Sequence, residues 1–135
     1  MPQRPLDVVR SMYEAFDGGD PDGALAHFHP DVVLDSTARP DGGLVHGREQ
    51  LNSTIARWLA AFEEWREEIE EMRDLGSLVY VVATQRGRGK GSGIELEARY
   101  ALLYEVRDAK IMRMTMFTDP ADALARASAQ ERPNR

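Results

Sequence analysis

The sequence predicts an α+β fold on two observations. Apolar residues recur at helical spacing through the first 62 residues, and from Leu78 onward they alternate as strand residues do. The 135 residues, 42% hydrophobic and 30% charged, suit a single domain spanning 1–135. Such a chain buries roughly two-thirds of the surface its unfolded form exposes, so it needs no disulfide or metal to hold together. With no cysteine, thiolate catalysis, iron–sulfur clusters and cysteine-ligated zinc are excluded.

Leu6, Val9, Tyr13 and Phe16 form one stripe of a first helix that starts after Pro5 and stops at Gly18-Gly19. Asp20-Pro21 is an N-cap followed by proline at the first helical position, opening a short helix with Ala24, Leu25 and Phe28 inward. Pro30 ends that helix by restricting the backbone of His29. Val32-Val33-Leu34 reads as a short strand and Pro40-Asp41-Gly42-Gly43 as a loop. From Arg48 a third helical stripe runs through Leu51, Ile55, Trp58, Leu59 and Phe62, and local periodicity carries it on through Trp65, Ile69 and Met72.

Residues 78–84 have the β-branched composition of a buried strand. The glycine-rich segment 86–93 reads as a strand end and hairpin with solvated cations, because it lacks the Gly-Lys-Ser/Thr ending before a helix that a phosphate loop needs. Residues 94–106 alternate, with Tyr100, Leu102 and Tyr104 on one side and Glu95, Glu97, Arg99 and Glu105 on the other. After a hairpin at 107–110, a last strand over 111–118 puts Met112, Met114 and Met116 on one face and Ile111, Arg113, Thr115 and Phe117 on the other. Asp119-Pro120 caps a closing helix through Leu124, ahead of a polar tail from Ser128 to Arg135.

The formal charge of −6 argues against a phosphate-tracking surface, so nucleic acid is not an expected partner. No stretch approaches the ~20 apolar residues of a membrane span, and the N-terminus lacks the apolar core of a signal peptide, which makes a cytoplasmic location the expectation. His27 and His29, with Asp31 following, straddle a helix end and do not share a face, so no metal site is read there. No nucleotide fingerprint or cofactor motif appears, and any catalysis is expected to be cofactor-free.

Six words run in order along nearly the whole chain: Tyr13-Glu14-Ala15-Phe16 with Gly19-Asp20, Phe28-His29-Pro30-Asp31-Val32, His46-Gly47-Arg48-Glu49, Gly91-Ser92-Gly93, Arg107-Asp108-Ala109-Lys110-Ile111 and Phe117-Thr118-Asp119. In these the sequence resembles the SnoaL-like branch of the nuclear transport factor 2-like superfamily. The resemblance implies a cone-shaped fold of the cystatin-like α+β barrel type, a curved mixed sheet wrapped around helices and enclosing a conical pocket. Against the local periodicity, it also implies that the long helix ends near Phe62 and a strand runs through about 66–73. A helix reaching Met72 would be long for a domain of this size, whereas glutamates on a solvent-facing strand are tolerated.

Members of that superfamily include ketosteroid isomerases, polyketide cyclases, limonene-type epoxide hydrolases, dehydratases and noncatalytic binders, so the fold leaves function open. The isomerase-like members use a carboxylate base near the end of the first strand, a tyrosine in the first helix and an acid on the penultimate strand. Matching the shared words places Ser36, Met12 and Leu102 at those positions. None supplies the base or the oxyanion donor that proton abstraction beside a carbonyl requires. Epoxide hydrolases imply an Arg followed two residues on by an Asp, but Glu97 and Arg99 reverse that order and face away from the pocket. Cyclase-like members imply an acid near the end of the last strand, where Asp119 falls; helix capping is its competing role. Asp35 is the other carboxylate near the pocket mouth, although its alternation with Leu34 and Ser36 points it outward.

Leu102 in place of a pocket-facing acid brings Tyr100, Tyr104, Met114, Met116 and Thr118 to the same wall, with Met12, Phe16, Leu34, Trp58 and Phe62 closing the space. The expected pocket is apolar, with Tyr100, Tyr104, Ser36 and Thr118 as sparse polar handles. The leading expectation is a binder of a small apolar or aromatic molecule, polyketide-, terpenoid- or steroid-like. One alternative is a cofactor-free cyclase, isomerase, dehydratase or epoxide hydrolase in which Asp119 or Asp35 moves a proton. Another is a noncatalytic module with a filled cone, forming the homodimer through the outer sheet face that the resemblance implies.

Overall fold

A computed structural model describes residues 4–40 and 42–131 of the chain. Helix α1 (Pro5–Asp17) opens on a proline, tolerated in a first turn whose N–H groups have no intrahelical partner. It buries Val8, Val9, Met12 and Tyr13, while Leu6 and Phe16 of the expected stripe are only partly buried. Helix α2 (Pro21–Leu25) is capped by Asp20, whose carboxylate accepts from the Gly23 N–H at 3.0 Å. It stops before Phe28, which opens strand β1 (Phe28–Asp35) instead of closing the helix as expected. Pro30 holds His29 extended and has no N–H to give. The pairing of β1 with the last strand accordingly skips register between Phe28 and Val33.

The remaining elements are β2 (Leu44–His46), α3 (Arg48–Ala60), β3 (Phe62–Leu75), β4 (Leu78–Gly89), β5 (Glu95–Arg107), β6 (Lys110–Phe117) and α4 (Pro120–Glu131). The helical spacing that continues past Phe62 is therefore not a helix. The strand implied by the resemblance is there, beginning at Phe62 rather than near Arg66 and paired with β4 along its length. A β-bulge between Ile69 and Glu71 explains the deceptive spacing. Trp65 and Ile69 lie an even number of residues apart on one face, the bulge then shifts the phase, and Met72 returns to that face three residues later.

Among the described residues six strands make one mixed sheet in the order β2-β1-β6-β5-β4-β3, antiparallel except for the β1–β6 pair. The sheet is the curved mixed sheet expected for this fold and is not closed into a barrel: β2 and β3 are its edges, and α3 packs against both and against β1. In the β5–β6 hairpin Asp108 and Ala109 adopt φ of 53° and 62°, and Met112 is left without a partner opposite Glu105 and Val106. That extra residue turns Ile111 into the inner core with Met114, so Met112 does not share the face of Met114 and Met116.

Helices α1 to α3 cover the inner face. On the outer face α4 sets Ala123 and Ala127 onto Tyr80, Val82, Leu103 and Phe117, making a second core. The helix runs beyond Leu124 to Glu131, so the start of the expected polar tail is helical; residues 132–135, like 1–3 and Asp41, lie outside the described residues. Part of the outer face expected to dimerise is thus covered by the chain itself. The remainder carries a ladder of ion pairs, Arg86–Glu97 at 2.5 Å, Arg99–Glu70 at 3.1 Å and Arg88–Glu95 at 3.5 Å, which take up two cations of the glycine-rich hairpin. No helix among the described residues is long and apolar enough to cross a membrane.

Gly87 on β4 leaves room for the Phe62 ring on the neighbouring strand: a Cβ there would come 2.8 Å from Phe62 Cδ1 and 3.0 Å from the Glu64 carbonyl oxygen. Gly87→Ala is expected to destabilise by about 1–3 kcal/mol in urea unfolding. Gly43→Ala, whose Cβ meets nothing within 4 Å, is expected to stay within about 0.5 kcal/mol of the parent.

Candidate functional site

Between the inner sheet face and α1, α2 and α3 lies a cavity of about 490 Å³. The helices roof it with half-buried side chains such as Phe16, Ile55 and Trp58, while Leu34, Leu102, Met114 and Met116 form its sheet wall. Both the volume and the apolar walls are those of a small-molecule site.

Its polar groups are few. Tyr13 of α1 and Tyr104 of β5 meet hydroxyl to hydroxyl at 2.6 Å with their rings edge to face, centroids 6.1 Å apart. The pair has two O–H protons and this bond uses one, which leaves the other to donate into the cavity. Burial, reinforced by the Tyr104 and Glu67 charges, raises the Tyr13 phenol, and burial followed by the Glu67 charge raises that of Tyr104. Both phenols therefore stay neutral at physiological pH and act as donors.

Glu67 lies on β3 between Trp65 and Ile69, opposite Gln85 of β4, and all but Ile69 of these line the cavity. Burial, with a smaller push from the negative charge of Asp17, raises its carboxyl to about 7. Among the described residues Glu67 makes no ion pair with a cation. Nearby, the Trp65 ring stands edge-on to Phe16 at 6.0 Å, and its buried indole N–H has no acceptor. At the α3 side, Arg39 stacks over Trp58 at 4.9 Å from the ring centroid.

Of the residues expected from sequence, Met12, Phe16, Leu34, Ser36 and Trp58 line the cavity, as do Tyr100, Leu102, Tyr104, Met114 and Met116. The Ser36 hydroxyl is not a free handle: it donates to the Gly43 carbonyl at 3.1 Å and accepts from the Gly43 N–H at 3.2 Å, stapling the loop after β1. Four residues lie outside the lining. Phe62 turns its ring onto Gly87 and Trp58, 5.2 Å from the latter, and Thr118 is exposed past the end of β6. Asp35 faces away from Leu34, bonded to Thr37 and to Arg113 at 2.8 Å. The Thr37 hydrogen bond above all, with help from Arg113, holds its carboxyl below the usual range, which suits an ion-pair anchor and not a proton carrier. Asp119 is exposed and accepts from the Ala121 N–H at 2.9 Å, the capping role.

Sequence reasoning missed Glu67, Gln85 and the site role of Tyr13. Once 66–73 is taken as a strand, alternation puts Glu67 on the apolar face of Trp65 and Ile69, and that was the available signal. Among the described residues no group of three or more His, Asp or Glu side chains could hold a metal ion.

The sheet, the helices roofing one face and the cavity between them define the NTF2-like fold, and solved structures share it. A Burkholderia thailandensis NTF2-like protein is 23% identical with a TM-score of 0.79, over 93% of this chain and 98% of that one. TerC, co-crystallised with polyporic acid, is 20% identical with a TM-score of 0.72, over 92% and 98%. A Mycobacterium tuberculosis protein in complex with estradiol-17β-hemisuccinate is 23% identical with a TM-score of 0.70, over 85% and 94%. At these identities the likeness is one of fold. The SnoaL-like domain model matches residues 9–114, and the chain belongs to that family. No curated protein matches it in sequence.

Because the folded state holds the Glu67 proton more tightly than the unfolded chain, with a pKa of about 7 against 4.5, folding takes up a proton between those values. Stability on this account is intact below about pH 4.5, falls as pH rises through the window, and is reduced by up to about 3 kcal/mol above pH 7. Urea unfolding across pH should therefore find Glu67→Gln more stable than the parent at pH 8 by about 1–3 kcal/mol, with the gain vanishing near pH 4.

Proposed function

We propose that the chain binds a small, largely apolar or aromatic molecule, polyketide-, terpenoid- or steroid-like, in the inner cavity. The observation that carries this reading is the open space of about 490 Å³ walled by aromatic, aliphatic and thioether side chains. Flat rings and Met side chains recognise shape and adapt to it. The unspent O–H of the Tyr13–Tyr104 pair supplies a directional contact to a ligand carbonyl or hydroxyl. The two fold neighbours crystallised with a steroid ester and with polyporic acid lend support by analogy. Titrating the protein with estradiol, an anthraquinone and a monocyclic terpenoid should quench Trp58 and Trp65 fluorescence saturably for at least one of them. Met116→Trp, which fills the space, should abolish that response with far-ultraviolet circular dichroism unchanged. Absence of saturable quenching by all three overturns the reading.

Glu67 favours a second reading, cofactor-free proton transfer, in which it replaces the two carboxylates that the sequence offered and that lie outside the cavity. An ionised Glu67 takes a proton from carbon beside a ligand carbonyl, the C–H electron pair forms a carbon–carbon double bond as the carbonyl π pair moves onto oxygen, and the tyrosine O–H stabilises that oxyanion. Return of the proton to a different carbon completes an isomerisation with no change of oxidation state. In D₂O, a bound ketone should then exchange its α-hydrogens faster with the parent protein than with Glu67→Gln, with the rate rising through pH 7. Equal exchange in the two proteins sinks this reading.

A further inference from the structure

Glu67 is an acid placed among groups that offer it no cation. Its inner-face neighbours on β3 are Trp65 and Ile69, and its cross-strand partner on β4 is the amide Gln85. From α1 the groups that interact with it electrostatically are Tyr13 and the negative Asp17, and from β5 the neutral phenol Tyr104. The cationic side chains in the cavity lining, Arg39 and Arg57, belong to the loop after β1 and to α3, and Arg39 stacks over Trp58. An ionised Glu67 is thus an uncompensated negative charge in an apolar cavity. Three of the rings around it, Tyr13, Trp65 and Tyr104, line the same space, and ring faces carry electron density that attracts cations. Carboxylate and rings act in the same direction on a positively charged ligand. A neutral ligand still packs against the rings but gains no charge attraction from either.

We propose that the preferred ligands of the cavity carry a protonated or quaternary nitrogen, seated between the Glu67 carboxylate and the rings of Tyr13, Trp65 and Tyr104. This rests on the binding reading and adds to it the charge and chemical class of the ligand's head, an ammonium on an apolar or aromatic body. It has a linkage consequence. A permanent cation needs Glu67 ionised, so below about pH 7 its binding expels a proton, and affinity falls by up to about tenfold per pH unit. A neutral molecule of the same shape shows no such dependence.

The test compares benzyltrimethylammonium with neopentylbenzene, which replaces the quaternary nitrogen by carbon in the same shape, both followed by tryptophan quenching. At pH 8 the cation is expected to bind at least about tenfold more tightly, with the ratio shrinking as pH falls below 7 and shrinking likewise in Glu67→Gln, where only the rings still favour the cation. Calorimetry in buffers of different ionisation enthalpy should register proton release on cation binding at pH 6. The pH series on the parent protein decides the matter even if the variant folds poorly. Neopentylbenzene binding as tightly as the cation overturns this inference while leaving the binding reading intact. An undiminished preference for the cation in Glu67→Gln overturns it too, and so does failure of both probes to bind, while the binding reading is decided separately by the three-ligand titration above.

Discussion

A sheet with apolar side chains on both faces needs cover on both, and among the described residues four helices must provide it. The chain assigns α4, the helix richest in small residues, to the outer patch of Tyr80, Leu103 and Phe117. That leaves α1, the five-residue α2 and α3 for a broader inner face whose two edges stay apart. These three helices roof the inner face without filling the space beneath them. Trp58 and Ile55 remain half-buried because they border a void instead of packing into a core. The cavity is what remains once the covering helices are set against the curvature of the sheet.

The electrostatics of the site follow from that geometry. Water is held back from the inner face, so a carboxyl placed there keeps its proton longer and phenols placed there keep theirs at any physiological pH. Asp35, a few residues past the inner core on β1, shows the opposite environment. With Thr37 and Arg113 around it, it stays ionised and ties the β1 end to β6. Two acids of similar intrinsic strength are thereby separated into an anchor and a titrating group by which face of a strand they occupy. With its carboxyl raised to about 7 by burial, Glu67 favours the folded state more below that pH than above it.

Much of the fold was legible because it rests on local signals: the capping Asp20 and Asp119, the alternation of β5, the composition of β4. The cavity walls on β5 and β6 were legible because the resemblance places Leu102 inward and parity groups Tyr100, Tyr104, Met114 and Met116 with it. What escaped was produced by breaks in periodicity. The bulge in β3 makes Trp65, Ile69 and Met72 imitate a helix, and with the segment taken as a strand its glutamates still read together as solvent-facing, although alternation separates Glu67 from its neighbours. The unpaired Met112 similarly reverses Ile111, which no two-residue count anticipates. Phe62 was misplaced for another reason. Where its ring goes is decided by a missing side chain, Gly87, on a strand 25 residues later in the sequence.

The Tyr13–Tyr104 bond joins residues 91 apart in sequence, and it is where α1 is fastened to the sheet. During synthesis α1 emerges first, yet the strand it must clasp is made only after three-quarters of the chain has left the ribosome. Until then its apolar stripe has no permanent partner, and an isolated helix of this length is marginal in water. The β3–β4–β5 meander, by contrast, pairs strands that are neighbours in sequence. Any molecule that binds the folded cavity and not the unfolded chain would therefore stabilise the docking of α1 onto the sheet.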